Sequence, residues 1–420
     1  MRETSVYERI KQPHADPSAT DLIDAPAGDI LSFTDDQINL KILKKRAYNL
    51  RWATVDKGVI PLTAADPDFP VAKEITRAIK TYADAGVFSY GPGEGLPFFR
   101  NIAAQTVQQR KGVATHPDLI LPVDGAASGM FSIARFALQP GDEVIIFDPV
   151  DFLFQQSVEA AGGVVVCLPF DTKTRTFNPI ELMNLISPKT KMIAICNPHN
   201  PLGRVLNERE LRTIGALAVK HNLWIMNDEI WSDIVYDRDD FRSIASIHPL
   251  VAARTITVHG FSKTFGLAGL RVGFIISPDE KVHQQLLKAS KVQTTSAGVT
   301  TLSQVAAAAA YEHCWYWADA FVDHLRQVRD YAVHRLNAME GVFCHSPEGT
   351  YVLFVNIESF GMSSEDMAAY LLDKAKVAVV PGAAKWFGTR AEGHIRICFS
   401  TSMRMMEIAL NRIERALKML

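Results

Sequence analysis

Three stretches of this chain read MIAICNPHNPLG (192–203), LWIMNDE (223–229) and TITVHGFSK (255–263). Each is a short apolar run that ends in polar or small residues. Near-continuous apolar runs of this length are typical of strands buried on both faces of a parallel sheet. Between the first two lies ELRTIGALAVKHN (210–222), whose apolar residues recur at helical spacing. Strands that alternate with amphipathic helices predict an α/β fold with a mainly parallel sheet covered by helices.

The same rhythm extends outward in both directions along the chain. Further apolar runs are VIIF (144–147), VVVCL (164–168) and FII (274–276). The pattern predicts a large α/β domain over residues 61–300. Residues 301–420 read differently, because a long helical pattern (302–338) leads into short strands and further helices. They predict a smaller α+β domain, with residues 1–60 as an N-terminal arm that joins it. A cleft between two such domains is a natural ligand site.

Composition excludes several classes of function. The chain has 420 residues, 44 Lys and Arg against 46 Asp and Glu, and a net charge of -2. No basic field is therefore available for nucleic acid or anionic lipid. The five cysteines form no CxxC pair, which argues against a disulfide framework or a zinc site. No run reaches the roughly 20 apolar residues of a membrane span. We expect a soluble, cytoplasmic protein without a structural metal.

Polar side chains follow three of the predicted strands. Asn200, Asp228 and Lys263 each lie just beyond an apolar run. Because the carboxyl ends of parallel strands meet at one edge of the sheet, we expect these residues to converge. A lysine amine can form a Schiff base with an aldehyde cofactor, and a carboxylate can keep a ring nitrogen protonated. The asparagine amide can donate to a ring oxygen.

Anion-binding groups accompany this triad. GAASG (125–129) precedes the helical pattern MFSIARFAL, and small residues at a helix start let backbone amides approach an anion. Arg271 lies eight residues after Lys263, and Arg396 lies inside the apolar run HIRICFS. A guanidinium in an apolar strand is costly unless it meets an anion, and its planar fork suits carboxylate or phosphate.

Together these motifs resemble the pyridoxal-phosphate enzymes of fold type I, in particular the class I and II aminotransferases. The resemblance runs from about residue 48 to the C-terminus. Two further segments are more similar to the cystathionine β-lyase branch, which breaks C–S bonds. The aminotransferase-like motifs are NPHNPLG (197–203), NDEI (227–230), SKTFGLAGLRVG (262–273) and PG…IRICFS (381–400), and the lyase-like segments are NLRWATVDKGVIPLTAADPDFP (49–70) and DEIWSDIVY (228–236).

The resemblance implies a sheet of seven strands, the cofactor pyridoxal 5'-phosphate and a role for each motif residue. Lys263 would be the Schiff-base lysine and would shuttle the proton at the substrate Cα. Asp228 would pair with the pyridine nitrogen, and Asn200 would donate to the ring 3-hydroxyl. Arg396 would clamp the substrate α-carboxylate, with Ala65 and Asn200 beside it. The phosphate would be held by Ala126, Ala127, Ser262 and Arg271, and by Tyr90 of a neighbouring subunit, which implies a homodimer with shared sites.

Four positions depart from the pattern of the family. Gly260 stands where a phosphate-contacting serine is usual, and Ala65 stands in place of a glycine. Trp231 replaces the usual tyrosine or histidine and is expected beside the cofactor ring. Asp151 occupies the place of an aromatic that stacks on the ring. Either the adjacent Phe152 takes over that contact and Asp151 faces solvent or caps a helix, or Asp151 reads a polar or cationic substrate side chain or relays a proton.

Several functions are compatible with these residues. An aminotransferase between an α-amino acid and a 2-oxo acid is the leading interpretation. A carbon–sulfur β-lyase would use the same Cα carbanion but expel a group from Cβ. A biosynthetic enzyme with a modified ring pocket, and a sensor that binds the cofactor without catalysis, are further alternatives. The sequence does not identify the amino acid substrate.

Overall fold

The computed structural model of the chain describes residues 31–294 and 297–420. Residues 1–30, which form half of the predicted arm, lie outside the described part. The helices are α1 (Leu40–Lys45), α2 (Lys73–Asp84), α3 (Pro97–Lys111), α4 (Ala126–Ala137), α5 (Leu153–Ala160), α6 (Pro179–Asn184), α7 (Glu208–His221), α8 (Pro249–Ala252), α9 (Glu280–Ser290), α10 (Thr301–His313), α11 (Trp315–Asn337), α12 (Ser364–Tyr370), α13 (Ala384–Phe387) and α14 (Met403–Leu417). The strands are β1 (Ile60–Pro61), β2 (Ile120–Val123), β3 (Glu143–Asp148), β4 (Val164–Asp171), β5 (Thr176–Phe177), β6 (Thr190–Cys196), β7 (Trp224–Asp228), β8 (Thr255–Gly260), β9 (Gly273–Ile276), β10 (Phe343–Cys344), β11 (Val352–Asn356), β12 (Val377–Ala378), β13 (Val380–Pro381) and β14 (His394–Cys398).

A twisted, mainly parallel sheet forms the centre of the larger part of the molecule. Its strands run in the order β2-β9-β8-β7-β6-β3-β4-β5. Strands β8, β7, β6, β3 and β4 pair in parallel, whereas β9 is antiparallel to both of its neighbours. The α/β fold class is confirmed. Seven of the strands match the expected sheet, and the eighth, β5, is a two-residue strand that pairs antiparallel with β4.

Local sequence explains why α7 lies where it was expected. Asn207 accepts a hydrogen bond from the Glu210 amide, and the Glu210 side chain accepts one from the Asn207 amide. This reciprocal capping begins the helix, and Asn222 ends it in the left-handed conformation. The apolar face with Leu211 and Ile214 is fully buried. The strands on either side, β6 and β7, are thereby held parallel.

The remaining strands form two smaller sheets. One is antiparallel in the order β10-β11-β14-β13, and the other is the parallel pair β1 and β12. Residues from the N-terminal segment also reach β14, because the buried Arg51 pairs with Asp68 and donates to Cys398 Sγ at 3.1 Å. These contacts agree with an N-terminal segment that packs on the C-terminal part, while the domain boundaries at residues 60 and 300 stay predictions.

The helical pattern over 302–338 is interrupted in the structure. Helix α10 ends at His313, and α11 begins at Trp315 after the fully buried Cys314. Cys314 has left the helical region with φ -114° and ψ 16°. The alanine-rich α10 packs on α2 and α3. The helical pattern is therefore divided between two helices, and hydrophobic periodicity alone does not report the break at Cys314.

Two features are absent from residues 31–294 and 297–420. No helix there is long and apolar enough to cross a membrane. Nor does that part of the chain contain three His, Cys, Asp or Glu side chains grouped so that they could hold a metal ion.

Candidate active site

The carboxyl ends of β6, β7 and β8 open into a cavity of about 250 Å³. The structure brings the three polar clusters together there, although they are far apart in the sequence. Apolar residues complete the wall, among them Met130, Ile230 and Leu267. The expected site residues that line the cavity are Ala65, Ala126, Ala127, Asp151, Asn200, Asp228, Trp231, Ser262, Lys263, Arg271 and Arg396.

Lys263 lies in the turn that follows β8. Its Nζ donates a hydrogen bond of 2.7 Å to the Ala65 carbonyl oxygen and lies 5.1 Å from the centre of the Trp231 ring. Burial lowers the pKa of the Lys263 ammonium, and the nearby Asp66 carboxylate opposes that effect. Desolvation therefore favours the neutral amine, which is the nucleophilic form needed for covalent chemistry with an aldehyde.

Asp228 is the last residue of β7 and is 7% exposed. Its Oδ1 accepts a hydrogen bond of 3.0 Å from the Ile230 amide. Burial raises the pKa of the Asp228 carboxyl from 3.8 to about 7, despite that hydrogen bond. Within the described residues no Lys, Arg or His nitrogen lies within 4 Å of it. A buried carboxylate without a cation is costly, and a protonated ring nitrogen would satisfy it.

Arg396 extends from β14 into the opposite side of the cavity. Its guanidinium donates to Asn200 Oδ1 at 3.2 Å and to the Thr63 carbonyl at 3.0 Å. The buried Nε has no hydrogen-bond partner, and no carboxylate of the described chain forms an ion pair with Arg396. Burial lowers the pKa of this guanidinium, with the Asp151 carboxylate opposing. A buried guanidinium without an anion fits a ligand carboxylate.

The start of α4 forms an anion cradle with Arg271. Gly125 precedes the helix with φ +103°, a conformation that L side chains rarely adopt. A β-carbon at Gly125 would lie 3.1 Å from an Arg271 nitrogen, so the guanidinium is packed directly against this turn. The backbone at Ala126 and Ala127 begins the helix, and its free amides complement a negative charge. Backbone amides, a guanidinium and the Ser262 hydroxyl fit a phosphate group.

The structure separates Asp151 from Phe152. Asp151 lines the cavity, whereas the Phe152 ring packs edge-on against Trp386 with 5.6 Å between ring centres. The Phe152 amide also donates to the Trp386 carbonyl at 3.0 Å, which holds the residue outside the lining. The expected contact between Phe152 and the cofactor ring therefore finds no support, because backbone pairing with the C-terminal part turns this side chain away.

The structure shows what surrounds two of the other unusual positions, Gly260 and Trp231. A β-carbon at Gly260 would lie 3.2 Å from the Ile230 side chain, so a serine there would require Ile230 to shift by a few tenths of an ångström. Trp231 is buried and packs edge-on against Tyr351 at 4.6 Å. The Tyr351 hydroxyl donates to the same Ala65 carbonyl that accepts from Lys263. Trp231 thus forms part of the cavity wall next to Lys263.

A buried ion pair supports the turn that carries Lys263. Lys111 Nζ forms an ion pair with Asp233 and donates to the Ser232 carbonyl at 2.8 Å. Asp233 also accepts from the hydroxyl of Thr264, the residue after Lys263, at 3.3 Å. Burial raises the pKa of Asp233, but the Lys111 ammonium and the nearby Arg110 guanidinium together outweigh it, so that the pKa lies below its ordinary value. Sequence reasoning missed Lys111, because it comes from α3, far along the chain.

Tyr90 is the one expected cofactor residue that points into solvent. It is 91% exposed and does not line the cavity of its own chain. Sequence reasoning also overlooked Cys196 and Ile230, which line the cavity beside Asp228. Only their position in the sequence could have indicated them, because both residues directly adjoin the polar clusters at the ends of strands.

Comparisons with known proteins agree with this geometry. The family model for aminotransferase class I and II matches residues 57–413. An aspartate aminotransferase of Pyrococcus horikoshii is 31% identical over 363 residues, which are 86% of this chain and 91% of that protein.

Solved structures extend the comparison to the fold. An aromatic aminotransferase from Pyrococcus horikoshii superposes with a TM-score of 0.81 at 32% identity, covering 88% of this chain and 98% of that one. Cystalysin from Treponema denticola, which contains a pyridoxal 5'-phosphate cofactor, superposes with a TM-score of 0.85 at 25% identity over 93% and 99% of the two chains. These findings show a pyridoxal-phosphate-dependent aminotransferase, and the chain belongs to the class I and II aminotransferases.

Proposed function

We propose that Lys263, Asp228, Asn200 and Arg396 carry the transfer of an amino group between an α-amino acid and a 2-oxo acid. The observation that supports this most strongly is that Asp228 and Arg396 are buried charged groups without a counter-ion in the described chain. Both line the same cavity as the buried amine of Lys263. A protein tolerates such groups when a ligand of complementary charge binds among them.

Four groups would hold the cofactor. Arg271, Ser262 and the amides at the start of α4 would bind its phosphate, and Asp228 would keep its ring nitrogen protonated. When bound, pyridoxal phosphate supplies an aldehyde that condenses with amines and a ring that accepts electrons from the substrate Cα.

The chain's own residues would then orient the substrate and move its proton. Arg396 would fix the α-carboxylate with its unpartnered Nε and the adjacent N–H groups. Lys263 Nζ, whose pKa burial has lowered, would take the proton from Cα and return it at another atom. Asn200 would anchor the Arg396 guanidinium through its side-chain oxygen. Arg396 and Asn200 are buried and Lys263 is half-buried, which limits the access of water to the reacting bonds.

Carbon–sulfur β-elimination is the second candidate. The segments 49–70 and 228–236, which resemble the lyase branch, favour it, and it requires the same residues as far as removal of the Cα proton. The two reactions differ afterwards in the fate of the Cβ substituent and of the nitrogen.

Assembly as a homodimer is part of the proposal. Val87, Phe88 and Tyr90, three large side chains within four successive residues, are 62%, 66% and 91% exposed. Such a surface is typical of a protein–protein contact. A second copy that covers it would bring Tyr90 towards a neighbouring site. A cytoplasmic location likewise remains a prediction.

The test is to add a panel of amino acids to the cofactor-loaded protein, with and without a 2-oxo acid. Transamination predicts one change in the cofactor's visible absorption per site without 2-oxo acid, and continued turnover once it is added. Accumulation of ammonia and 2-oxo acid over many turnovers would instead show a lyase. Lys263→Ala should abolish either reaction, whereas Lys281→Ala, at an exposed lysine of α9, should not.

A further inference from the structure

Asp151 is a carboxylate in the cavity that the proposed reaction does not use. It lies between the end of β3 and the start of α5. Its Oδ1 accepts from the Leu153 amide at 3.1 Å, and its Oδ2 accepts from Asn200 Nδ2 at 2.8 Å. Both donors are neutral, and within the described residues no Lys, Arg or His nitrogen lies within 4 Å of this carboxylate. Asp151 is therefore an ordered anion without a counter-ion.

The hydrogen bonds of Asn200 connect Asp151 with the substrate clamp. Asn200 Oδ1 accepts from Arg396, while its Nδ2 donates to Asp151. This arrangement determines which way the amide faces, because only the oxygen can accept and only the nitrogen can donate. Burial lowers the pKa of both Arg396 and Lys263, and the Asp151 carboxylate is among the charges that oppose it. The negative charge of Asp151 therefore acts on both Arg396 and Lys263.

The charges that line the cavity show what Asp151 faces. Lys263, Arg271 and Arg396 are the cations of the lining, and Asp151 and Asp228 are its carboxylates. In the proposed function, Arg271 meets the phosphate, Arg396 meets the α-carboxylate and Asp228 meets the ring nitrogen. The lining then offers no cation for a second substrate carboxylate, and Asp151 repels one. A side chain with a donor or a positive charge would instead pair with it.

We propose that Asp151 determines specificity by favouring amino acids whose side chain ends in a positive charge or a hydrogen-bond donor over aspartate and glutamate. The proposal rests on the proposed function, because it takes the α-carboxylate to occupy Arg396. It distinguishes this chain from the aspartate aminotransferase to which it is similar.

Three unreactive carboxylates of similar length test the selection directly. Each has one carboxylate for Arg396 and no amine that could react with the cofactor. Glutarate ends in a second carboxylate, glutaramate in a neutral amide and 4-guanidinobutanoate in a cation. Calorimetry on the cofactor-loaded protein measures the three dissociation constants. We expect 4-guanidinobutanoate to bind at least about 10-fold more tightly than glutarate, with glutaramate between them.

Variants at Asp151 separate charge from structure. Asp151→Asn removes the charge and should reduce the preference for the cation over glutarate at least about 5-fold, whereas Asp151→Glu should retain it. The matched control is Asp171→Asn, because the exposed Asp171 also accepts two amide hydrogen bonds, in its case both from the backbone, but does not line the cavity. It should leave all three constants unchanged. Retained visible absorption of the bound cofactor verifies that each variant is folded.

Two results would overturn the proposal. One is wild-type protein that binds glutarate as tightly as 4-guanidinobutanoate. The other is an Asp151→Asn variant whose ratio of the two constants equals that of the wild type. Failure of the proposed function is recognised separately, because it requires that no amino acid donates its amino group. The binding ratios do not depend on turnover and remain interpretable in that case.

Discussion

Asp228 offers a quantitative test of the site, because its burial has a different consequence with and without the cofactor. The perturbation is Asp228→Asn, which keeps an oxygen to accept from the Ile230 amide and removes the ability to ionise. In cofactor-free protein the buried carboxyl has a pKa of about 7, against an ordinary value of 3.8. The folded chain therefore binds this proton more tightly than the unfolded chain does.

The sign and the size of the effect follow from proton linkage. A raised carboxyl pKa contributes stability that is fully present below pH 3.8 and is lost as the pH rises to about 7. At 1.36 kcal/mol for each pKa unit, the wild type should lose roughly 4 kcal/mol of unfolding free energy over that whole range. Between pH 5.5 and 8 we expect a loss of roughly 2 kcal/mol relative to Asp228→Asn.

The assay is urea denaturation of cofactor-free wild type and Asp228→Asn at pH 5.5, 6.5, 7.5 and 8. The difference between the two proteins cancels the contributions of other titrating groups such as Glu229. In cofactor-loaded protein the wild type should instead be more stable than Asp228→Asn, because a protonated ring nitrogen pairs with the Asp228 carboxylate. If the unfolding free energies of the two cofactor-free proteins changed equally with pH, the reasoning would be refuted. Equal stabilisation of both proteins by pyridoxal phosphate would refute the pairing.

Three further substitutions test other parts of the site. Arg396→Lys should lower kcat/KM about 10- to 100-fold, mainly through KM, because an ammonium lacks the planar fork that holds a carboxylate; an unchanged KM in steady-state kinetics would contradict the clamp. Gly125→Ala should raise the dissociation constant for pyridoxal phosphate at least about 10-fold, since φ is +103° and the new β-carbon would lie 3.1 Å from Arg271; titration of cofactor-free protein measures it, and unaltered affinity would exclude the cradle. Lys111→Met should cost about 3–5 kcal/mol of unfolding free energy, because it leaves the buried Asp233 with only the more distant Arg110 Nε at 4.0 Å; a loss below 1 kcal/mol in chemical denaturation would show that the pair is dispensable.

Much of the fold was predictable because its signals are local. The strand runs at 144–147, 192–196 and 255–258 lie within observed strands, and the α7 pattern differs from the helix by two residues at its start and one at its end. Apolar periodicity and capping residues act over a few positions, so they can be read without the rest of the chain. The antiparallel direction of β9 and the break at Cys314 carry no such signal, because neighbouring elements impose them.

For the candidate site too, some features follow from local sequence and others depend on tertiary packing. By itself the sequence determined that Lys263, Asp228 and Asn200 follow strands and converge, because parallel strands end at a common edge. It left open whether Asp151 or Phe152 faces the cavity. Only the tertiary structure decided that, through the backbone bond between Phe152 and Trp386.

Tertiary structure also decided the partners of the candidate catalytic groups. Lys263 donates to Ala65 across 198 positions, and Arg396 donates to Asn200 across 196. Contacts over such separations depend on how the two parts of the chain pack together. Local residue preferences determine which elements form, whereas burial and charge between distant segments determine what their side chains meet.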